Sequence, residues 1–590
     1  MPPVDSWPSV NKKKLKQSKP HQEVSLIDLA NWDMDFEKHS GHRPKIGVIT
    51  HGSLGKGLTM RLDVGHSVEQ LKAGKYMVVE GQHYDFFTMI TDVSLEAANP
   101  NILLNPPSPS DFLLKEVMMG HAIYATVVLK PLLMTPNKHH PDLGKFEASR
   151  VKTIPSHFSL VAEAQAEDIA RVFGDEANLD ENNKQRFFYI GTPLDMDEIP
   201  LCIDLDRLVE RSNAVFGKTG TGKTFLTRLL LCGTIKSNKA VNLIFDMHSE
   251  YGFSARQEGK SEGFVKGLRE LFPGKVAIFS LDPESTRKRT QGVNPDYEVF
   301  LYADQVEPED ILPLQQTLNL TQTAAESTYL LRNKLGKFWL LRLLQSESEE
   351  ELTEIAKDCG ANFQSVSALK RKLEQVCGLG FFKREINHGK IDVIEQLLEN
   401  ILKKKSVVLE FGRYDSLKAY MFVANIITRR LRQAYEQKTN AYLSSRQEED
   451  KPPQLMITIE EAHKFLQPGI ASETPFGVIA REMRKYFVSL LIVDQRPSAI
   501  DDEVLSQIGT KIVAQLNDEK DINAALVGTS DASGLRQVLA SLDSKQQALV
   551  MGHAVPMPVV LKTRTYDEAF YEAMRPKITV NIRREITELF

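Results

Sequence analysis

Cysteine is scarce: the 590 residues hold only Cys202, Cys232, Cys359 and Cys377, with no C-x-x-C pair and no neighbouring histidine pattern. That excludes a disulfide framework or a cysteine-held zinc, and it predicts buried free thiols in a reducing cytoplasm. No apolar run reaches 18 residues and the N-terminus is polar and lysine-rich, so no membrane span is expected. A surplus of positive charge is missing as well. With a formal net charge of -5 the molecule as a whole is not built to condense on a polyanion, and any such grip must come from a local basic channel. What is present, 42% hydrophobic and 26% charged residues, describes an ordinary globular chain. Its length predicts roughly two to four domains.

The chain divides by pattern. Residues 1–43 carry "NKKKLKQSKPHQE" and little apolar periodicity, which predicts a flexible basic tail. Within 44–165 the runs "IGVIT", "LTMRLD", "KYMVVEG", "YDFFTMITDV" and "HAIYATVVLK" alternate with glycine-rich or polar breaks, predicting a small β-barrel. The break "HGSLGKGL" is read as a hairpin turn, because its spacing is wrong for a phosphate loop and no helix follows. From about 158 to 205 the chain reads as a connector. Beyond it, "AVNLIFDMH", "KVAIFSL", "SVVLEFG", "QLMITIEEAH", "VSLLIVDQRP" and "TKIVAQL" are strand-like and mostly spaced for crossover helices, the pattern of an α/β domain with a buried, largely parallel sheet. This domain is expected in two parts, 166–306 and 405–565, around a helical insertion at 307–404 and before a C-terminal extension at 566–590. In the insertion, Val366, Leu369, Leu373 and Val376 form an apolar stripe that leaves Lys370, Arg371 and Lys372 largely outside it.

The stretch "FGKTGTGKTF" carries the chemistry. Asn213–Phe216 reads as a strand, Gly217 and Gly222 bracket four residues, and Lys223 and Thr224 open a helical run. That order is the context a Walker A loop needs. Backbone N–H groups of Gly217, Lys218, Thr219, Gly220, Thr221 and Gly222 would cradle phosphates, Lys223 would reach the terminal ones, the Thr224 hydroxyl would ligate magnesium, and Phe225 would complete the nucleotide contact.

A second element is an acidic pair after an apolar strand, Glu460 and Glu461 in "QLMITIEEAHKF". The first carboxylate suits the magnesium shell and the second suits polarising the attacking water. Gln495 ends the next strand, where it would orient water or sense the γ-phosphate. Asp246, His248 and Glu250, in "IFDMHSEYG", would line the same crevice. Magnesium binding, coupling to DNA and a supporting hydrogen-bond network all stay open for them, Asp246 being the metal candidate. Arg481 and Arg484, in "VIAREMRKYF", are candidates for an arginine acting in trans, and Arg211, twelve residues before Lys223, is another.

Taken in order, "IGTPL", "GKTGTGKT", "DMHSEYG", "IEEAH", "IAREMRK", "VDQRPS", "VLSQIGTKIVAQL" and "QALVMGHAVPMPVVLKTR" resemble the HerA-type ATPases of the HerA and FtsK group from about residue 187 to 563. The β-rich region before them looks like the small HAS-type barrel of that family. The resemblance implies a RecA-like P-loop core, a homohexamer encircling double-stranded DNA, ATP and Mg2+ bound between subunits, and a partner nuclease of the NurA type in DNA end processing and repair. Carried over residue by residue, it implies Lys223 and Thr224 on phosphate and magnesium, Glu461 on water, Gln495 as sensor, and Arg484 or Arg481 in trans. Two departures are visible: Glu460 stands where an Asp is more common, and Met483 where many members have Gly.

The expectation is therefore an ATP-driven DNA translocase. Its rival is a nucleotide-controlled hexameric scaffold for an effector enzyme in phage defence. A conjugation coupling ATPase fits less well without membrane helices, and the absence of an N-K-x-D motif argues against guanine-nucleotide chemistry.

Overall fold

The computed structural model describes residues 43–575, apart from 105, 109, 120–121, 138, 141–147, 180–183, 195, 257–262, 388, 390–391, 470, 472–473, 530–531 and 544–545. Residues 1–42 of the predicted basic tail and 576–590 of the C-terminal extension lie outside the described residues.

The N-terminal barrel is built from β1 (Lys45–Ser53), β2 (Gly57–Leu62), β3 (Tyr76–Glu80), β4 (Tyr84–Ala97), β5 (Ile123–Pro136) and β6 (Leu160–Glu163). They pair in the order β2-β1-β6-β3-β4-β5, and β5 returns to β2, which closes the sheet. Alternation places Ile49, Met60, Val79, Ile90 and Val127 in a buried interior. Register shifts in β1 and β4 supply the extra curvature that closure requires. The break "HGSLGKGL" is the β1–β2 hairpin, with Ser53 opposite Gly57.

The second sheet contains β7 (Phe187–Pro193), β8 (Leu201–Asp204), β9 (Asn213–Phe216), β10 (Val241–Asp246), β11 (Val276–Ser280), β12 (Tyr297–Glu298), β13 (Ser406–Glu410), β14 (Leu455–Glu460), β15 (Val488–Asp494), β16 (Thr510–Val513), β17 (Gln547–Gly552) and β18 (Val559–Thr563). Its order is β12-β11-β13-β10-β14-β15-β9-β16-β17-β18-β7-β8. From β12 to β16 neighbours run parallel; from β16 to β8 they run antiparallel. Every residue of β10, β14 and β15 is buried, because helices cover both faces of a parallel sheet. This is why those strands read as unbroken apolar runs.

The supposed connector is corrected here: within 158–205 lie β6, which completes the barrel, and β7 and β8, which form the antiparallel edge of the large sheet. Between 307 and 404 the chain is mainly helical, with helices at Gln322–Leu335, Trp339–Gln345, Glu349–Asp358, Phe363–Cys377 and Val393–Leu402. Val366, Leu369, Leu373 and Val376 are all fully buried. Lys370, outside that stripe, donates to the Ser346 carbonyl at the end of a neighbouring helix, so it belongs to the packing of the bundle. All four cysteines are free and buried. Among the described residues no helix is long and apolar enough to cross a membrane.

Candidate nucleotide site

Parallel pairing puts the ends of β9, β15, β14, β10 and β13 side by side. Phe216 is level with Asp494, Glu460 with Val493, and Asp246 with Glu410. The loop after β9 leads into the 15-residue helix Lys223–Ser237, whose N-cap is Gly222. A glycine offers no capping side chain, so the first-turn N–H groups remain for a ligand. Gly220 and Gly222 adopt left-handed backbone, with φ of +80° and +91°, and nothing lies within 4 Å of where a Cβ would stand. Gly217 answers a different need, since its Cβ would come within 2.9 Å of Ala514 Cβ. The loop thus forms an open cradle with amides around it.

Three contacts hold this cradle. Thr221 Oγ1 donates to the Lys218 carbonyl at 2.7 Å, Lys223 Nζ donates to the same carbonyl at 3.0 Å, and Thr219 Oγ1 donates to Gln495 Oε1 at 2.8 Å. Gln495 therefore touches the loop directly. Phe225 is half-buried, with its ring 6.0 Å from that of Tyr566.

On the acidic side, Thr224 Oγ1 donates to Glu250 Oε2 at 3.0 Å. Glu460 is buried; its Oε1 accepts from Tyr251 Oη at 2.9 Å, and its Oε2 has no partner. Burial, with Asp246 and Glu250 nearby, holds this carboxyl well above the usual carboxylate range. Glu461 follows with φ +49°, a left-handed conformation that is strained for a residue with a Cβ. His463 lies 3.7 Å from the Glu461 carboxylate and is locked to Asp494, which accepts from the His463 N–H at 2.7 Å and pairs with Nδ1 at 2.9 Å. That hydrogen bond is the main reason the imidazole is more basic than usual.

Asp246, the metal candidate, faces the turn that follows its own strand. Its two oxygens accept the backbone N–H groups of Glu250 at 2.8 Å and Tyr251 at 2.9 Å, and the carboxylate that meets Thr224 is Glu250. Sequence reading put both residues in the crevice and named Asp246 of the two as the metal candidate. Tyr251 and Arg228 were missed: Tyr251 lies in the turn after β10 and Arg228 within the helix Lys223–Ser237, and no spacing singles either out. His248 is exposed.

Arg484 and Arg211 lie at the other end of the strands, and Arg481 lies on the crossover helix Pro475–Glu482. Arg484 and Arg481 precede β15, and Arg211 precedes β9, whereas Gln495 and the phosphate loop follow those strands. The seven residues of β15 span about 23 Å at roughly 3.3 Å each, farther than an arginine side chain reaches. Arg484 lies 4.0 Å from Glu210 and Arg481 lies 3.8 Å from Glu503. Arg211 is exposed beside Gly509, where a Cβ would come within 2.6 Å of Arg211 Cβ.

Residues 188–431 match a family model described as "Helicase HerA, central domain". The chain is 25% identical over 404 residues to the DNA double-strand break repair helicase HerA of Pyrococcus furiosus, spanning 64% of this chain and 70% of that protein. It is also 25% identical over 411 residues to a probable DNA double-strand break repair helicase HerA of Methanocaldococcus jannaschii, spanning 65% and 77%. Among solved structures, the bacterial conjugative coupling protein TrwBΔN70 aligns with a TM-score of 0.40 at 12% identity, covering 67% of this chain and 96% of that one.

Proposed function

From the premise that this chain is a HerA-type P-loop ATPase, we propose that it hydrolyses Mg2+–ATP to move along double-stranded DNA as a homohexamer, in the cytoplasm, with a nuclease of the NurA type or another effector as partner. Relatives named as DNA double-strand break repair helicases support the DNA-processing part of this reading. The observation that carries the ring is the division of the site: the phosphate loop, Glu460 and Glu461 sit at one end of the parallel strands and Arg484 and Arg211 at the other. An arginine so placed serves the nucleotide of a second copy.

The residues present fit the absent groups, since the glycine cradle is open and Glu460, ending a strand two places from β9, keeps an unpartnered oxygen. Bound magnesium would neutralise charge on the β- and γ-phosphates, with Thr224 and Glu460 as the residues to hold it. On nucleotide binding, Lys223 exchanges the Lys218 carbonyl for phosphate oxygens. Glu461 then takes a proton from the attacking water, and Gln495, tied to the loop through Thr219, orients that water against the γ-phosphate.

The grip on DNA must be local. In the basic stretch 254–266 that follows β10, Lys260 lies outside the described residues. Lys266 lies 3.1 Å from Glu568 and over the Tyr571 ring, contacts it would exchange to reach DNA. Lys464, just after Glu461, remains as a candidate.

The test measures ATPase rate against duplex DNA at two salt concentrations, together with displacement of a protein roadblock from linear DNA. A motor is stimulated by DNA, less so as salt rises, and clears the roadblock only while hydrolysing ATP. An intact hexamer indifferent to DNA at low salt would overturn the translocase reading in favour of the scaffold.

A further inference from the structure

The heptapeptide Asp246–Gly252, DMHSEYG, is the conspicuous motif that the chemistry above leaves without a task. Its geometry is fixed at every turn. Asp246 caps the N–H groups of Glu250 and Tyr251, and Ser249 adopts a left-handed φ of +54° that folds the chain back. Arg228, on the helix that follows the phosphate loop, donates to the Glu250 carbonyl. Gly252 closes the motif where a Cβ would stand 2.8 Å from Glu410 Oε1, an oxygen held by Arg289 at 2.6 Å.

Pinned in this way, the turn delivers one side chain to the start of the helix Lys223–Ser237 and another to the end of β14. Glu250 Oε2 accepts the Thr224 hydroxyl proton at 3.0 Å, and Tyr251 Oη, fully buried, donates to Glu460 Oε1 at 2.9 Å. A hydroxyl has one proton and two lone pairs. With the proton fixed on Glu250, the Thr224 lone pairs face away from that carboxylate. With Oε1 of Glu460 engaged, Oε2 is the oxygen left to bind.

We propose that Glu250 and Tyr251 are positioning residues that aim Thr224 and Glu460, the protein's two metal-binding groups, from a single turn. This inference rests on reading the loop as a Mg2+–nucleotide site. It assigns to Glu250 the orientation of a ligand, and to Asp246 the shape of the turn.

The experiment titrates Mg2+, and Mn2+ as a check, into the full-length protein holding a slowly hydrolysed fluorescent ATP analogue. It reads the half-saturating metal concentration, with analogue binding in the absence of metal as the control for folding. Glu250→Ala is expected to raise the half-saturating concentration about tenfold, the low end for removing an outer partner of a ligand. Glu250→Gln should stay within about threefold, because the amide oxygen still accepts the hydroxyl proton. Tyr251→Phe, which keeps the volume, should also weaken metal binding while metal-free binding holds; it carries the test if Glu250→Ala fails to fold. Unchanged metal affinity in both Glu250→Ala and Tyr251→Phe would overturn the proposal. So would a Glu250→Gln variant as impaired as Glu250→Ala, which would make Glu250 a charged ligand. If the wild-type protein itself bound the analogue with no dependence on metal, the nucleotide-site reading would fail first.

Discussion

The two ends of the parallel strands are organised by opposite rules. At the carboxyl ends, Glu410, Asp246, Glu460 and Asp494 terminate four adjacent strands, all buried and each held by at least one specific partner. At the amino ends, Arg484 is 61% exposed on its side chain and sits 4.0 Å from Glu210, an ion pair of a kind that contributes little. One end is preorganised within a single chain, at the expense of buried charge and a strained Glu461. At the other end Arg484 is held loosely, as its proposed contact with a second copy requires, whereas Arg481 is 20% exposed beside Glu503. Preorganisation and incompleteness are thus separated by the length of a strand.

The strongest way to break this comparison is at the loose end. Arg484→Ala or Arg481→Ala, whichever is the residue acting in trans, should slow hydrolysis by the assembled ring by about 10³-fold or more while each subunit still binds nucleotide. A monomer hydrolysing at the full rate, indifferent to both substitutions, would erase the division. At the organised end, Glu461→Gln should keep ATP binding and lose about 10²- to 10⁴-fold in turnover, whereas Lys223→Ala should lose binding as well. Wild-type turnover in Glu461→Gln would move the base elsewhere.

A smaller effect concerns the buried charge itself. Burial first, and then the Glu410 carboxylate, push Asp246 up from 3.8 to about 6. A folded state that holds a proton more tightly than the unfolded chain is most favoured below about pH 4. It loses that contribution as pH rises through 6, about 3 kcal/mol in all. Asp246→Asn should flatten the fall in denaturant stability between pH 4 and 6; an unchanged slope would assign the effect to another group. The smallest effect is expected far from both ends. Tyr76→Phe removes a hydroxyl that donates to the Pro558 carbonyl at 2.8 Å and accepts from the Val560 N–H at 3.2 Å, and should lower stability by about 1–3 kcal/mol with turnover unchanged.

How much of this was legible follows from how each feature is encoded. The central strands were readable because burial on both faces leaves continuous apolar runs, as in Val488–Asp494. The phosphate loop was readable because its chemistry is local, with glycines, lysine and threonine inside eight residues. Leu160–Glu163 escaped as a strand because four residues carry too little alternation, although they complete the barrel. The Thr224–Glu250 contact spans 26 residues and exists only because β9 and β10 end on the same side of the sheet. No spacing rule announces it. The acid beside Lys266, Glu568, comes from the helix Glu568–Met574, 302 residues further on, and nothing local announces it.

Tyr76 belongs to the barrel, yet its hydroxyl is shared with the backbone leading into β18, and Tyr76, Val78, Phe87 and Met89 lie in the same apolar cluster as the large sheet. Mechanically the two parts make one girder instead of two blocks on a hinge. A load applied to the barrel wall passes into β18 and across the strand hydrogen bonds through β17 and β16 to β9, the strand that ends in the phosphate loop.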